Sequence, residues 1–194
     1  MFLTFALFIM RVFIAVDCNI RDKLRAVQQE IVDKVTENKN NLNIVSPNNM
    51  HFTLSFLGEI TESQLENVKR VISEIRFSKI PISYNSIGVF PSTNFVKVIW
   101  VGIDNQGSEF LKQIHGMIYQ KLKQIGIKTD NRFVPHLTIF RVKRRIPNIV
   151  EICNNFNGQV FEHDIIDKLF IKSSDLTPDG PIYSNLLTVN ALNE

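Results

Sequence analysis

The segments HFTLSFLG, beginning at His51, and HLTIFRV, beginning at His136, each set a histidine and a threonine two positions apart inside an apolar run. Successive side chains of a strand alternate faces, so His51 and Thr53 point one way while Phe52, Leu54 and Phe56 point the other. His136 and Thr138 share a face in the same manner, opposite Leu137 and Ile139. Polar pairs among Phe, Leu and Ile cost free energy unless something satisfies them. Two imidazoles and two hydroxyls lining one concave surface suit acid and base work on a single phosphate. An imidazole titrates near pH 6.5 (about), so one ring can take a proton while its partner gives one up. One histidine can activate water as the other protonates the leaving oxygen. The hydroxyls of Thr53 and Thr138 can donate hydrogen bonds to the non-bridging phosphate oxygens and hold the charge that develops in the transition state. These roles need neither metal nor cofactor, and two histidines with hydroxyl partners lack the third donor that a catalytic zinc site expects. The competing reading is a binding module that clamps phosphate between the two triplets without turnover.

The remaining reactive side chains are less informative. His115 lies in a helical stretch beside Leu111 and Ile118 and reads as structural, whereas His163 is either a surface strand residue or part of the site. Lys143, Arg144 and Arg145 form either a track for an anionic backbone or a solvated face. Cys18 and Cys153 stand far apart and outside any C-x-x-C spacing, so neither a disulfide framework nor a zinc knuckle is indicated and a reducing cytoplasm is expected. The net charge of +3 suits an anionic ligand without requiring one.

The elements that must carry these residues follow from periodicity. Arg11 to Asp17 reads as a strand, and Ile20, Leu24, Val27, Ile31 and Val35 recur at helical spacing. The first His-x-Thr strand is expected to close at Gly58. Thr61 with Gln64 forms a capping box ahead of a helix striped by Leu65, Val68, Ile72 and Ile75. IPISYNSIGVF and VKVIWVGI predict a hairpin about the turn PSTNF, and a helix over 108–125 ends at Gly126. After the second His-x-Thr strand come a short helix near 147–155 and strands around 159–163, 167–173 and 182–190. The fold class is α+β: two similar lobes, antiparallel strands lining a central cleft, helices packed on the outer faces. Residues 1–9 read as an apolar N-terminal extension, too short to span a bilayer, ahead of a single bilobal domain over 10–194. A monomer without membrane association is expected.

With those elements in place, HFTLSFLG and PHLTIFRV resemble the paired H-x-T-hydrophobic signatures of the 2H phosphoesterase superfamily, in particular the RNA 2',3'-cyclic phosphodiesterases once called 2'-5' RNA ligases. MRVFIAVD from Met10 is similar to that family's opening strand, GVFPSTNFVKVIWVGI to its central hairpin and LTPDGPIYSNL to its closing stretch. The resemblance implies a bilobal fold and opening of an RNA or nucleotide 2',3'-cyclic phosphate to a 2'-phosphomonoester, with 2'-5' ligation as the reverse reaction. It implies that His51 and His136 are the catalytic histidines, His136 the base and His51 the acid, with Thr53 and Thr138 holding the phosphate. Arg141 falls at the family's arginine position, but its offset from His136 puts it on the opposite face of a straight strand. It reaches the phosphate only if the strand twists, bulges or ends near Phe140.

Overall fold

A computed structural model describes residues 9–178 and 180–192 of the 194-residue chain. Among them nine strands form one sheet: β1 (Ile9–Asp17), β2 (Leu42–Ile44), β3 (His51–Thr61), β4 (Ile80–Ser92), β5 (Phe95–Ile103), β6 (Leu137–Val142), β7 (Glu162–Ile166), β8 (Lys168–Thr177) and β9 (Gly180–Asn190). The helices are α1 (Arg21–Lys34), α2 (Glu62–Ile72), α3 (Asn105–Gln124) and α4 (Ile149–Asn154). Strands run in the order β7-β4-β5-β6-β3-β1-β8-β9, with β2 paired to β6, and every pairing is antiparallel.

The α+β class is as expected, and the two expected lobes are the two halves of this continuous sheet. They are joined where β3 meets β6, through the pair Phe52 and Leu137. Beyond that pair the strands diverge. β6 takes β2 as its further partner, Leu42 to Ile44 lying opposite Val142 to Phe140, and a cleft opens along the seam. Phe52, Leu54, Leu137 and Ile139 are buried in one core with Leu24 and Ile31 of α1, Leu65 and Ile72 of α2, and Leu111 and Ile118 of α3. That apolar face leaves the His-x-Thr side of both strands turned toward the cleft.

Local signals fared well where they were short range. Gln64 donates its backbone N–H to Thr61 Oγ1 (3.2 Å) and its side chain accepts from the Thr61 N–H (2.9 Å), completing the capping box of α2. α3 gives way to Gly126, whose φ of +77° lies in the left-handed region that favours glycine. The hairpin of β4 and β5 forms, with Thr93 and Asn94 as its turn.

Three details differ from expectation. β3 does not close at Gly58 but continues to Thr61, because Gly58 adopts φ +72° and the ladder to β1 shifts register there instead of ending. The final strands begin or end a few residues from their expected limits, β7 starting at Glu162 and β8 reaching Thr177. Phe56 is 53% exposed rather than buried with Phe52 and Leu54, for a reason given below. Residues 1–8 of the expected N-terminal extension lie outside the described residues, and β1 begins at Ile9 opposite Thr61. No helix of the described residues is long and apolar enough to cross a membrane.

Candidate active site

His51, Thr53, His136, Thr138 and Arg141 all line one cleft of about 820 Å³. The geometry begins with the antiparallel pair Phe52 and Leu137. Extending its register by one residue each way sets His51 across from Thr138 and Thr53 across from His136. The two triplets thus flank this pair in a related way, and all four polar side chains line the cleft.

Both imidazoles are oriented by the same device. His51 Nδ1 lies 2.8 Å from the carbonyl oxygen of Asn49, and His136 Nδ1 lies 2.7 Å from that of Val134. A carbonyl only accepts, so each Nδ1 carries the hydrogen and Nε2 remains to exchange protons with a ligand. The Asn49 carbonyl is supplied by a 3₁₀ turn at Pro47–Asn49, just ahead of β3. The rings are also held by aromatics. His51 packs against Phe13 (centroids 4.9 Å apart) and the edge of Tyr183 (5.2 Å). His136 meets Phe90 edge-on at 5.0 Å and Trp100 at 6.4 Å. Gly88 makes room for this second cage, since a Cβ there would overlap the Trp100 indole.

Burial pushes the His51 imidazole down to about 4, against the Asn49 carbonyl and the Asp17 carboxylate, which both favour its charged form. Asp17 stands opposite His51 in the β1 and β3 ladder and accepts at 2.9 Å from Nζ of Lys172, a buried lysine that also donates to Asn185 Oδ1 at 2.9 Å. Neither Asp17 nor Lys172 was singled out from sequence, although a lysine in the apolar run FIKSS was a usable signal.

Arg141 reaches the cleft because β6 bulges. Opposite β5, Ile99 pairs with Phe140 but Trp100 pairs with Thr138, leaving Ile139 as the extra residue. The bulge makes Ile139 and Phe140 both buried and returns Arg141 to the His136 side. The carbonyl of the bulge residue Ile139 is pinned from two directions: Val45 donates its backbone N–H to Ile139 O (3.0 Å), and Gln28, 2% exposed in α1, donates Nε2 to the same oxygen (2.8 Å) and to Val45 O (2.9 Å). β3 repeats the device. Ala15 pairs with Thr53 but Ile14 with Ser55, so Leu54 is the extra residue and Phe56 turns to the cleft. This is why Phe56 escapes the core. It stacks on Phe13 (5.6 Å), with the Arg11 guanidinium 5.8 Å from its ring centre.

Of the other residues considered, His115 is buried and bonded to protein carbonyls, in keeping with a structural reading. His163 sits on β7 with Nδ1 2.9 Å from Ser83 Oγ, away from the cleft, so of its two readings the surface strand holds. Lys143 lines the cleft mouth, while Arg144 and Arg145 are exposed beyond it. Cys18 and Cys153 are free and buried, and burial raises each thiol to about 12.

Comparison with known proteins gives the family and the fold. Residues 8–174 match the model of the AKAP7 2'5' RNA ligase-like domain. The RNA 2',3'-cyclic phosphodiesterase of Archaeoglobus fulgidus is 35% identical over 179 residues, covering 91% of this chain and 98% of that protein. Its counterpart in Thermotoga maritima is 32% identical, covering 91% of this chain and 93% of that one. Among solved structures, Escherichia coli LigT in its apo form superposes with a TM-score of 0.76 at 19% identity, over 95% of this chain and 99% of that chain, a likeness of fold. A family model spanning most of the sequence, full-length relatives at this identity and a shared fold together show that the chain belongs to the 2H phosphoesterases, in the 2'-5' RNA ligase-like family of the RNA 2',3'-cyclic phosphodiesterases.

Proposed function

We propose that this chain is an RNA 2',3'-cyclic phosphodiesterase that opens a terminal cyclic phosphate to a 2'-phosphomonoester, with His51 and His136 as the acid and base pair. The observation that carries the reading is the matched orientation of two imidazoles, each with Nδ1 committed to a backbone carbonyl and Nε2 left for proton transfer, in one cleft. Water loses a proton to one ring as its oxygen bonds to phosphorus, the bond from phosphorus to the 3' oxygen breaks, and the other ring protonates that oxygen. Thr53 and Thr138 donate to the non-bridging oxygens, and Arg141 supplies positive charge to the same phosphate. We assign the base to His136 and the acid to His51, following the family resemblance. In the bound state His51 would stand between the Asp17 carboxylate and an anionic phosphate, and both favour its imidazolium form.

The aromatic faces of Phe13, Phe56, Phe90, Phe133 and Tyr183 border the cleft and offer apolar surface to a nucleoside. A 5' hydroxyl taking the place of water in the same displacement joins two ends through a 2'-5' linkage, with the 3' oxygen again the leaving group. The reading takes the protein as a monomer built as one domain over 10–194 and as cytoplasmic, the last supported by its two buried free thiols. The deciding experiment is incubation with 2',3'-cyclic AMP and identification of the product. Release of 2'-AMP is expected. Retention of the cyclic nucleotide without turnover would instead favour a phosphate-binding module.

A further inference from the structure

His115 occupies a place that a core residue does not need. It projects from the middle of α3, 7% exposed, with Nδ1 2.8 Å from the carbonyl oxygen of Leu54 and Nε2 3.2 Å from that of Asn131. Phe133 stacks on the ring at 5.0 Å and 22°. Leu54 is the bulge residue of β3, immediately after Thr53. Asn131 lies in the irregular segment between Gly126 and β6, the segment that delivers His136. Within that segment Arg132 bonds Asp130, and Val134 O accepts from His136 Nδ1. Among the described residues, the bond from His115 to Asn131 is the one hydrogen bond that ties residues 128–135 to another element. Both carbonyls accept, so an imidazole carrying hydrogen on both ring nitrogens bridges the strand of the first His-x-Thr to the segment that orients the second.

We propose that His115 is a positioning residue that sets the distance and angle between the two catalytic motifs, through Leu54 on one side and the Asn131 to Val134 segment on the other. The proposal rests on the phosphodiesterase reading for its catalytic consequence. Slack in the bridge lets residues 128–135 drift, and with them the Val134 carbonyl that aims His136. The substrate still finds Thr53, Thr138 and Arg141, so its affinity changes little. Acid and base no longer meet it in the same geometry, and misplacement by about 1 Å costs on the order of 100-fold in rate.

Two near-isosteric substitutions separate the halves of the bridge. The amide nitrogen of asparagine reaches the position of imidazole Nδ1, so His115→Asn keeps a donor for Leu54 O and loses the one for Asn131 O. The amide nitrogen of glutamine reaches that of Nε2, so His115→Gln does the reverse. Each removes one hydrogen bond, so the thermal midpoints of the two variants should lie within a few degrees of each other (about). With 2',3'-cyclic AMP, His115→Asn should lose about 10- to 100-fold in kcat with KM within about threefold, while His115→Gln stays within about threefold of wild type in both. In proton–nitrogen NMR the His136 ring resonances should keep the wild-type pattern, with Nδ1 carrying the hydrogen, in His115→Gln and should shift or broaden in His115→Asn. Equal losses in the two variants, or wild-type kcat in His115→Asn, would overturn the proposal. If wild type failed to hydrolyse the cyclic nucleotide, the functional reading would fall, and the His136 signal would still decide the bridge.

Discussion

The protonation of His51 offers the sharpest test of the mechanism. Burial between Phe13 and Tyr183 lowers this imidazole from 6.5 to about 4, a difference of about 3 kcal/mol at 1.36 kcal/mol per pH unit. At pH 7 about one free protein in a thousand then carries the His51 proton. A bell-shaped profile of kcat/KM does not by itself tell whether His51 is acid or base, because either assignment yields the same two limbs, which belong to the pair. The absolute rate on the plateau does distinguish them. If His51 is the acid, the productive form is the scarce one, and raising its proton affinity makes that form more abundant. Tyr183→Ala opens one side of the ring to water and should raise the imidazole by about one unit. The acid assignment then requires kcat/KM at pH 7 to 8 to rise about tenfold relative to wild type once each protein's rate is scaled by its affinity for 2'-AMP, a ratio that any uniform loss of substrate binding leaves unchanged. The base assignment requires no rise there and a loss of rate below about pH 5, since more of the base is already protonated. An NMR titration of the His51 ring in both proteins supplies the shift independently. A measured shift without the rise at neutral pH would refute His51 as the acid.

Replacing His51 or His136 with alanine should lower turnover of 2',3'-cyclic AMP by about 10² to 10⁴-fold in a folded protein, while Thr53→Val and Thr138→Val, each removing one donor, should cost less. Activity should survive exhaustive treatment with EDTA, and a loss that added zinc or manganese restores would defeat the metal-free mechanism. Gln28→Leu leaves the Val45 carbonyl without its side-chain donor and loosens the Ile139 bulge, so chemical denaturation should show a loss of about 1–3 kcal/mol and steady-state kinetics a higher KM as Arg141 shifts. Because His51 is held neutral on folding, the unfolded chain binds more protons between pH 6.5 and about 4. The stability contribution is complete above pH 6.5 and is lost as the pH falls toward 4, by at most about 3 kcal/mol. A His51→Leu variant should show a correspondingly flatter acid limb in urea melts, and an unchanged limb would count against the buried neutral ring.

How far the sequence could be read depended on the range of the interaction. The capping box of α2 and the glycine after α3 involve residues within one turn of each other, so their outcome was visible in the local order of side chains. The face shared by His51 and Thr53, and by His136 and Thr138, needed strand alternation over three residues and held. Alternation failed over six. Leu54 and Ile139 are extra residues relative to their partners on β1 and β5, and an extra residue is defined only by the strand beside it. Phe56 and Arg141 were therefore placed by parity on the wrong face.

The residues and their chemistry belonged to the sequence: two His-x-Thr triplets, the polar side of each strand, and an arginine at a fixed offset from the second histidine. Tertiary structure decided how they meet. The single β3 to β6 pair brings the two triplets together at one cleft, while Gln28 and β2 pin the bulge that brings Arg141 back. It also lowered the proton affinity of His51, since the apolar walls that strip water from that ring come from Phe13 on β1 and Tyr183 on β9. His115 shows the same division. Its helical neighbours mark it as a buried residue, but its two carbonyl partners lie on β3 and on the segment before β6. Hydrophobic periodicity reports which face is buried, whereas a bond between distant segments exists only once the chain has closed on itself.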